Sequence, residues 1–148
     1  MERSVLTGGL RWAFVPIAAL LGFLASVFLA ESIDLLVFHL LSPGGAMPSR
    51  LFEVCSWTFD GAVAASLVIQ FGTYTAPHHK AIVAICLLVL GGIVAWRLVG
   101  EFYLPLHGPW NDATRTWWPL AGTYISGAIT CAWIWFVQNR PKNPKPEG

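Results

Sequence analysis

Charge is what this chain has least of. Asp, Glu, Lys and Arg make up 11% of its 148 residues, against about 25% in an ordinary soluble domain. So few charges cannot cover a surface that faces water on all sides, which argues against a soluble globular fold. The net charge of +1 and the lack of any Lys/Arg cluster leave no basis for a nucleic-acid partner. Cysteine is also sparse. Cys55, Cys86 and Cys131 form no CxxC or metal-ligand spacing and read as small apolar residues between helices. Cys86 and Cys131 fall at similar depth, so a redox pair between them is the alternative.

Motifs for chemistry are missing too. There is no Gly-rich phosphate loop, no GxSxG and no HExxH. The four histidines, His39, His78, His79 and His107, fall in loops or at segment boundaries, where haem ligation between helices is not available. No cofactor, metal or catalytic set is expected.

What the chain does have is apolar residues in long blocks, 55% of the total with a mean hydropathy of +0.60. Four segments reach the ~20 mostly apolar residues needed to cross a bilayer: 12–30, 54–73, 81–99 and 118–137. Backbone N–H and C=O groups in hydrocarbon must be satisfied within the segment, so these spans are expected to be helices. The expected fold is an all-α integral membrane protein, a four-helix antiparallel bundle over 1–137, with 138–148 as a disordered polar tail. One domain suffices for this length.

The connections SPGGAMPSR, TAPHHK and LPLHGPWND are short or rich in helix breakers, and the tail NRPKNPKPEG carries three prolines. Residues 33–41 are too short to cross again, and are expected to lie along the outer interface as a short helix or to prolong the first span. The first span also has a weaker reading as a signal peptide, with a cut after Ser32 fitting the small-residue rule better than one after Ala30.

Orientation comes from the cations. With the N-terminus inside, Arg3, Arg11, Lys80, Arg140, Lys142 and Lys145 lie on the inner side, and Arg50, Arg97 and Arg115 on the outer. The excess favours both termini in the cytoplasm of a cell inner (plasma) membrane. Glu31, Asp34, Glu53, Asp60, Glu101 and Asp112 all sort to the outer half. Trp57, Trp96, Trp110, Trp117 and Trp118 gather at the outer boundary and Trp12, Trp133 and Trp135 towards the inner one, as indoles at headgroup level do.

Small residues recur at four-residue spacing in every span: Ala18, Gly22 and Ser26; Gly61 and Ala65; Gly91 and Ala95; Gly122, Ser126 and Thr130. Such stripes let helix backbones approach closely in lipid. Gly22, Gly61, Gly91 and Gly122 are the expected packing positions.

Asp60 is an acid inside a span and needs an answer. In an antiparallel pair Arg97 comes to similar depth, with Glu101 one turn further. An Asp60–Arg97–Glu101 cluster is therefore expected, either as a buried ion pair that fixes register or as a pocket for an ion, proton or headgroup. Glu31, Asp34 and His39 form a weaker outer-face group, the only acid–base or metal-like set in the chain. The turn Pro77-His78-His79-Lys80 reads as a positive anchor against anionic headgroups.

The expected function is that of an accessory or assembly subunit of a bacterial-type inner-membrane complex. Its partners are then the lipid bilayer and other membrane subunits or itself. The alternative is a small oligomeric transporter or lipid/ion-binding protein using the outer polar cluster. An enzyme ranks third.

Overall fold

The computed structural model describes residues 2–41, 50–98 and 113–140. Four helices make it up: α1 Glu2–Leu41, α2 Arg50–Thr75, α3 Lys80–Leu98 and α4 Ala113–Gln138. No strand occurs among the described residues. Within each helix lies a stretch long and apolar enough to cross a membrane by length and composition: Gly9–Leu40, Val54–Thr75, Lys80–Arg97 and Trp117–Gln138.

Residues 33–41 are not a separate element. They prolong α1 into a single helix of 40 residues. Nothing in Glu31-Ser32-Ile33-Asp34 breaks a helix, and the first breaker after Pro16 is Pro43, so the backbone runs on. Pro16 itself sits inside α1, and Pro119 inside α4. Glu101 and the tail beyond Arg140 lie outside the described residues.

The core is made of small side chains. Ala18, Ala19, Ala30, Ala65 and Ala84 are buried together with Ser26, Thr73, Thr123 and Thr130, and Ile69 is the largest side chain wholly enclosed. Large apolar residues face outwards instead, among them Leu10, Phe28, Leu40, Ile125 and Trp133. A water-soluble core has the opposite distribution.

Helix α2 is the hub. It packs extensively on α1 and on α4 and less on α3, which also rests on α4. Between α1 and α2 the contact points run Gly22 to Leu67 and Asp34 to Ser56. Between α2 and α4 they climb together, Thr58 with Gly122, Ala62 and Ser66 with Ser126. Between α3 and α4 they run Ala81 to Gln138, Leu88 to Gly127 and Gly92 to Tyr124.

The α2–α4 seam depends on two reciprocal glycines. A Cβ placed on Gly61 would collide with the carbonyl of Pro119, and one on Gly122 with the carbonyl of Thr58. Gly22 takes the same role against α1's neighbour, where a Cβ would meet the Leu67 carbonyl at 2.7 Å. Gly91 does not. Nothing lies within 4 Å of its Cβ position, while the adjacent Gly92 faces the Tyr124 ring. The close contact of α3 therefore falls on Gly92, one residue beyond the expected stripe.

The turn between α2 and α3 closes over a small cluster of Val15, Ala76 and Val83, with Leu87 against it. Pro77 cannot continue α2 in the sheltered pattern of a helix interior. His79 then takes a left-handed conformation, φ 54°, and its carbonyl accepts from Val83 N–H at 3.0 Å.

These contacts reverse one expectation for α3. Gly61→Val or Gly122→Val should cost about 1–3 kcal/mol or more through forced separation of the backbones, whereas Gly91→Leu should leave stability nearly unchanged. Thermal midpoints in detergent measure the difference. A Gly91→Leu loss equal to that of Gly122→Val would contradict the assignment.

Candidate functional site

The outer half of α1 and α2 carries the acids. Asp34 lies on α1 one turn beyond Glu31, and Ser56 lies on α2 one turn before Asp60. Residues separated by three or four positions share a helix face, so both pairs are presented along the α1–α2 seam. The Ser56 hydroxyl donates to Asp34 Oδ2 across it. Asp34 and Ser56 are each half-buried, Glu31 is exposed and Asp60 is half-buried.

Asp60 Oδ1 is fully enclosed and has no hydrogen-bond partner. The charges that act on Asp60 are Asp34 and Glu31. The expected pairing with Arg97 is not among the contacts of Asp60: Arg97 lies exposed near the end of α3, a helix that touches α2 much less than α1 does. The third expected member, Glu101, lies outside the described residues. Asp60 thus shares the outer part of the α1–α2 seam with the carboxylates of Asp34 and Glu31.

Of the weaker outer group, Glu31 and Asp34 come together at this seam and His39 does not join them. His39 is exposed, with its ring edge-on to Phe38 at 6.1 Å. Among the described residues, no three His, Cys, Asp or Glu side chains gather as a metal ion requires.

A second polar zone runs through the α2–α4 seam. Ser66 and Ser126 hydroxyls lie 2.6 Å apart, with Thr130 Oγ1 at 3.3 Å from Ser66. Ser126 also bonds the Ala62 carbonyl at 2.9 Å, and Thr123 Oγ1 the carbonyls of Pro119 at 2.9 Å and Gly61 at 3.3 Å. Every hydroxyl here has a partner within the protein, so the zone is a structural tie. It offers no nucleophile with an adjacent base, the arrangement covalent catalysis needs.

A third feature is an apolar groove of about 390 Å³ between α1, α2 and α3, lined by Leu20, Phe23, Ala64, Leu87, Gly91 and Ala95 among others. Gly91 thus lines an open groove, with nothing within 4 Å of its Cβ position. Cys86 and Cys55 are exposed and Cys131 is half-buried, and all three are free thiols.

Ser56 was the residue missed from sequence. Its spacing from Asp60 was a usable signal, but only once α1 is read as continuing past Asp34.

Stability measurements separate these contacts. Asp34→Ala with Ser56→Ala should show a coupling of about 1 kcal/mol, as for a hydrogen bond to a charged group near a surface. Asp60→Ala with Arg97→Ala should be additive. Asp60→Ala alone should raise the thermal midpoint, because it removes an enclosed oxygen with no partner, a feature costing about 1–3 kcal/mol. A lowered midpoint would mean that Asp60 is satisfied after all.

Comparison with protein-family models, with curated proteins and with solved structures finds no match.

Proposed function

We propose that this chain is a multi-pass protein of the inner (plasma) membrane, an antiparallel four-helix bundle that serves as an accessory or assembly subunit of a bacterial-type membrane complex. The membrane reading is supported by the inverted distribution of side chains, with small and hydroxylated residues inside and large apolar ones outside. Packing and hydrogen bonding, rather than hydrophobic sequestration, are the attractions left between helices in lipid. The alternating arrangement is supported by contacts that run in opposite senses for α1 with α2 and for α3 with α4. Helices α2 and α4 then run parallel, as alternate members of such a bundle do. The excess of cations at one end supports a reading with both termini in the cytoplasm.

One observation carries the subunit role. Gly22, Gly61, Gly92 and Gly122 each face a neighbouring helix, but Gly91 faces an open apolar groove floored by other small residues. We read this as the seat for one apolar helix of another subunit, approaching closely over Gly91 and Ala95. Gly91→Trp would fill that seat without disturbing the helices of the chain itself.

The test is affinity purification in mild detergent followed by native mass measurement. The wild-type chain should carry a stoichiometric membrane partner, and Gly91→Trp should lose it while keeping its own thermal midpoint. Equal retention by both would sink the groove as the docking face. A reporter fused at residue 148 should be active only on the cytoplasmic side. Activity outside would reverse the orientation.

The enclosed Asp60 Oδ1 favours a second reading, a small oligomeric transporter or lipid/ion-binding protein that uses the outer acids. Acids within spans commonly mark such sites. A pure homo-oligomer in the same mass measurement would favour it over the subunit.

A further inference from the structure

The inner end of the bundle carries a feature that neither reading uses. Arg11 of α1 and Lys80 at the start of α3 line one cleft of about 520 Å³, together with Phe14, Tyr74, Thr75 and Pro77. No carboxylate is among the described residues that line it. Lys80 is half-buried there, and Arg11 is exposed at the mouth. Lys80 and Tyr74 also line a second cleft of about 570 Å³, walled by Gln70, Thr73, Trp133, Ile134 and Val137. The lysine therefore stands between two clefts, one bounded by α1 and the other by α4.

The local chemistry suits a phosphate group. A guanidinium offers a planar fork of donors and an ammonium a compact point charge, and both pair well with phosphate oxygens. Lys80 opens a helix of 19 residues, so the positive end of that helix dipole adds to the same spot. One first-turn donor, Ala81 N–H, is taken up by Gln138 Oε1 at 3.1 Å. The flanking aromatics mark an interface: Trp12 meets the His78 ring edge-on at 6.0 Å, and the Tyr74 ring is 86% exposed at the rim. Indole and phenol rings favour the headgroup level of a bilayer. Trp133, Ile134 and Val137 offer an apolar wall directly beside the cations.

We infer that this end of the bundle binds an anionic phospholipid, its phosphate held between Arg11 and Lys80 and an acyl chain laid along the α2–α4 cleft. Basic pockets between transmembrane helices on the cytoplasmic side recognise such headgroups. The inference rests on the membrane reading above but not on the subunit role. It differs from general attraction of a basic surface to an anionic leaflet, because two particular cations and one apolar wall must act together.

The test uses the full chain purified in detergent and titrated with dioleoyl-phosphatidylglycerol, with dioleoyl-phosphatidylcholine or with inorganic phosphate. Native mass measurement counts bound lipid, and a thermal midpoint reports stabilisation. Phosphatidylglycerol should give a discrete adduct and raise the midpoint, and the other two should do neither. Arg11→Gln with Lys80→Gln should weaken the adduct at least tenfold, and Lys80→Arg should retain it. Arg140→Gln removes a cation at the same end from a residue that lines neither cleft and should leave binding intact, where Lys80→Gln weakens it.

Equal loss in that control would reduce the effect to diffuse electrostatics and overturn the site. Displacement of the lipid by millimolar phosphate would overturn it in favour of a soluble-anion site. Lipid-free midpoints show whether the double variant folds. If it does not, Lys80→Gln alone carries the comparison, and undiminished binding by that variant overturns the proposal. Retention of the chain in phosphatidylcholine vesicles through an alkaline wash tests the membrane reading separately. A chain that is retained but indifferent to phosphatidylglycerol loses the lipid site alone, whereas a chain that is washed off loses both.

Discussion

The close approach of α2 to α4 is the constraint on which the rest of the arrangement depends. Two helices meet where each presents a glycine to a carbonyl of the other, Gly61 to Pro119 and Gly122 to Thr58. Backbones at that distance bring short side chains within reach of the opposite helix. Ser126 can then bond the Ala62 carbonyl, and Thr123 that of Gly61. Each such bond contributes only about 0.6 kcal/mol on average between membrane helices. Their effect is to fix register, since a slide of one residue would place a Cβ against a carbonyl. With α2 and α4 locked, α3 rests on both and α1 is held mainly by α2.

That hierarchy explains where polar groups settle. Hydroxyls collect in the tight seam, where each finds a neighbour. Carboxylates collect at the outer part of the α1–α2 seam, where Asp34 is answered by Ser56 and one oxygen of Asp60 by nothing. Arg11 and Lys80 stand at the opposite end, beside clefts with no carboxylate among the described residues of their walls.

Much of this was legible in the residues. The length and apolarity of the four blocks pointed to four helices, and the small-residue spacing pointed to Gly22, Gly61 and Gly122 as contact points. Gly91 was misplaced for a geometric reason. Gly91 and Gly92 are adjacent and so about 100° apart around the helix, and a stripe of Gly and Ala on both faces does not say which one meets a neighbour. The surroundings of Asp60 were less legible, for a different reason. Glu31 and Asp34 sort to the outer half with Asp60 in the sequence, but the register of α1 against α2 that sets them side by side does not show there. Continuing α1 to Leu41 brings Asp34 opposite Ser56, and the acids become neighbours. The clefts around Lys80 were not legible at all, since they exist only where three helices and a turn converge.

The length of α1 has a mechanical meaning. Its apolar stretch of 32 residues measures about 48 Å along the axis, and the hydrocarbon of a bilayer is about 30 Å thick. Tilting alone would have to exceed the roughly 40° seen at the upper end for membrane helices. If the chain spans a bilayer as proposed, the rod stands proud of it and carries its last turns into the aqueous layer without a joint. The end around His39 and Arg11 belong to one continuous helix, whose ladder of backbone hydrogen bonds lacks the one that Pro16 cannot donate. In the membrane reading proposed above, a single stiff helix then joins the two faces that loops would otherwise have to connect.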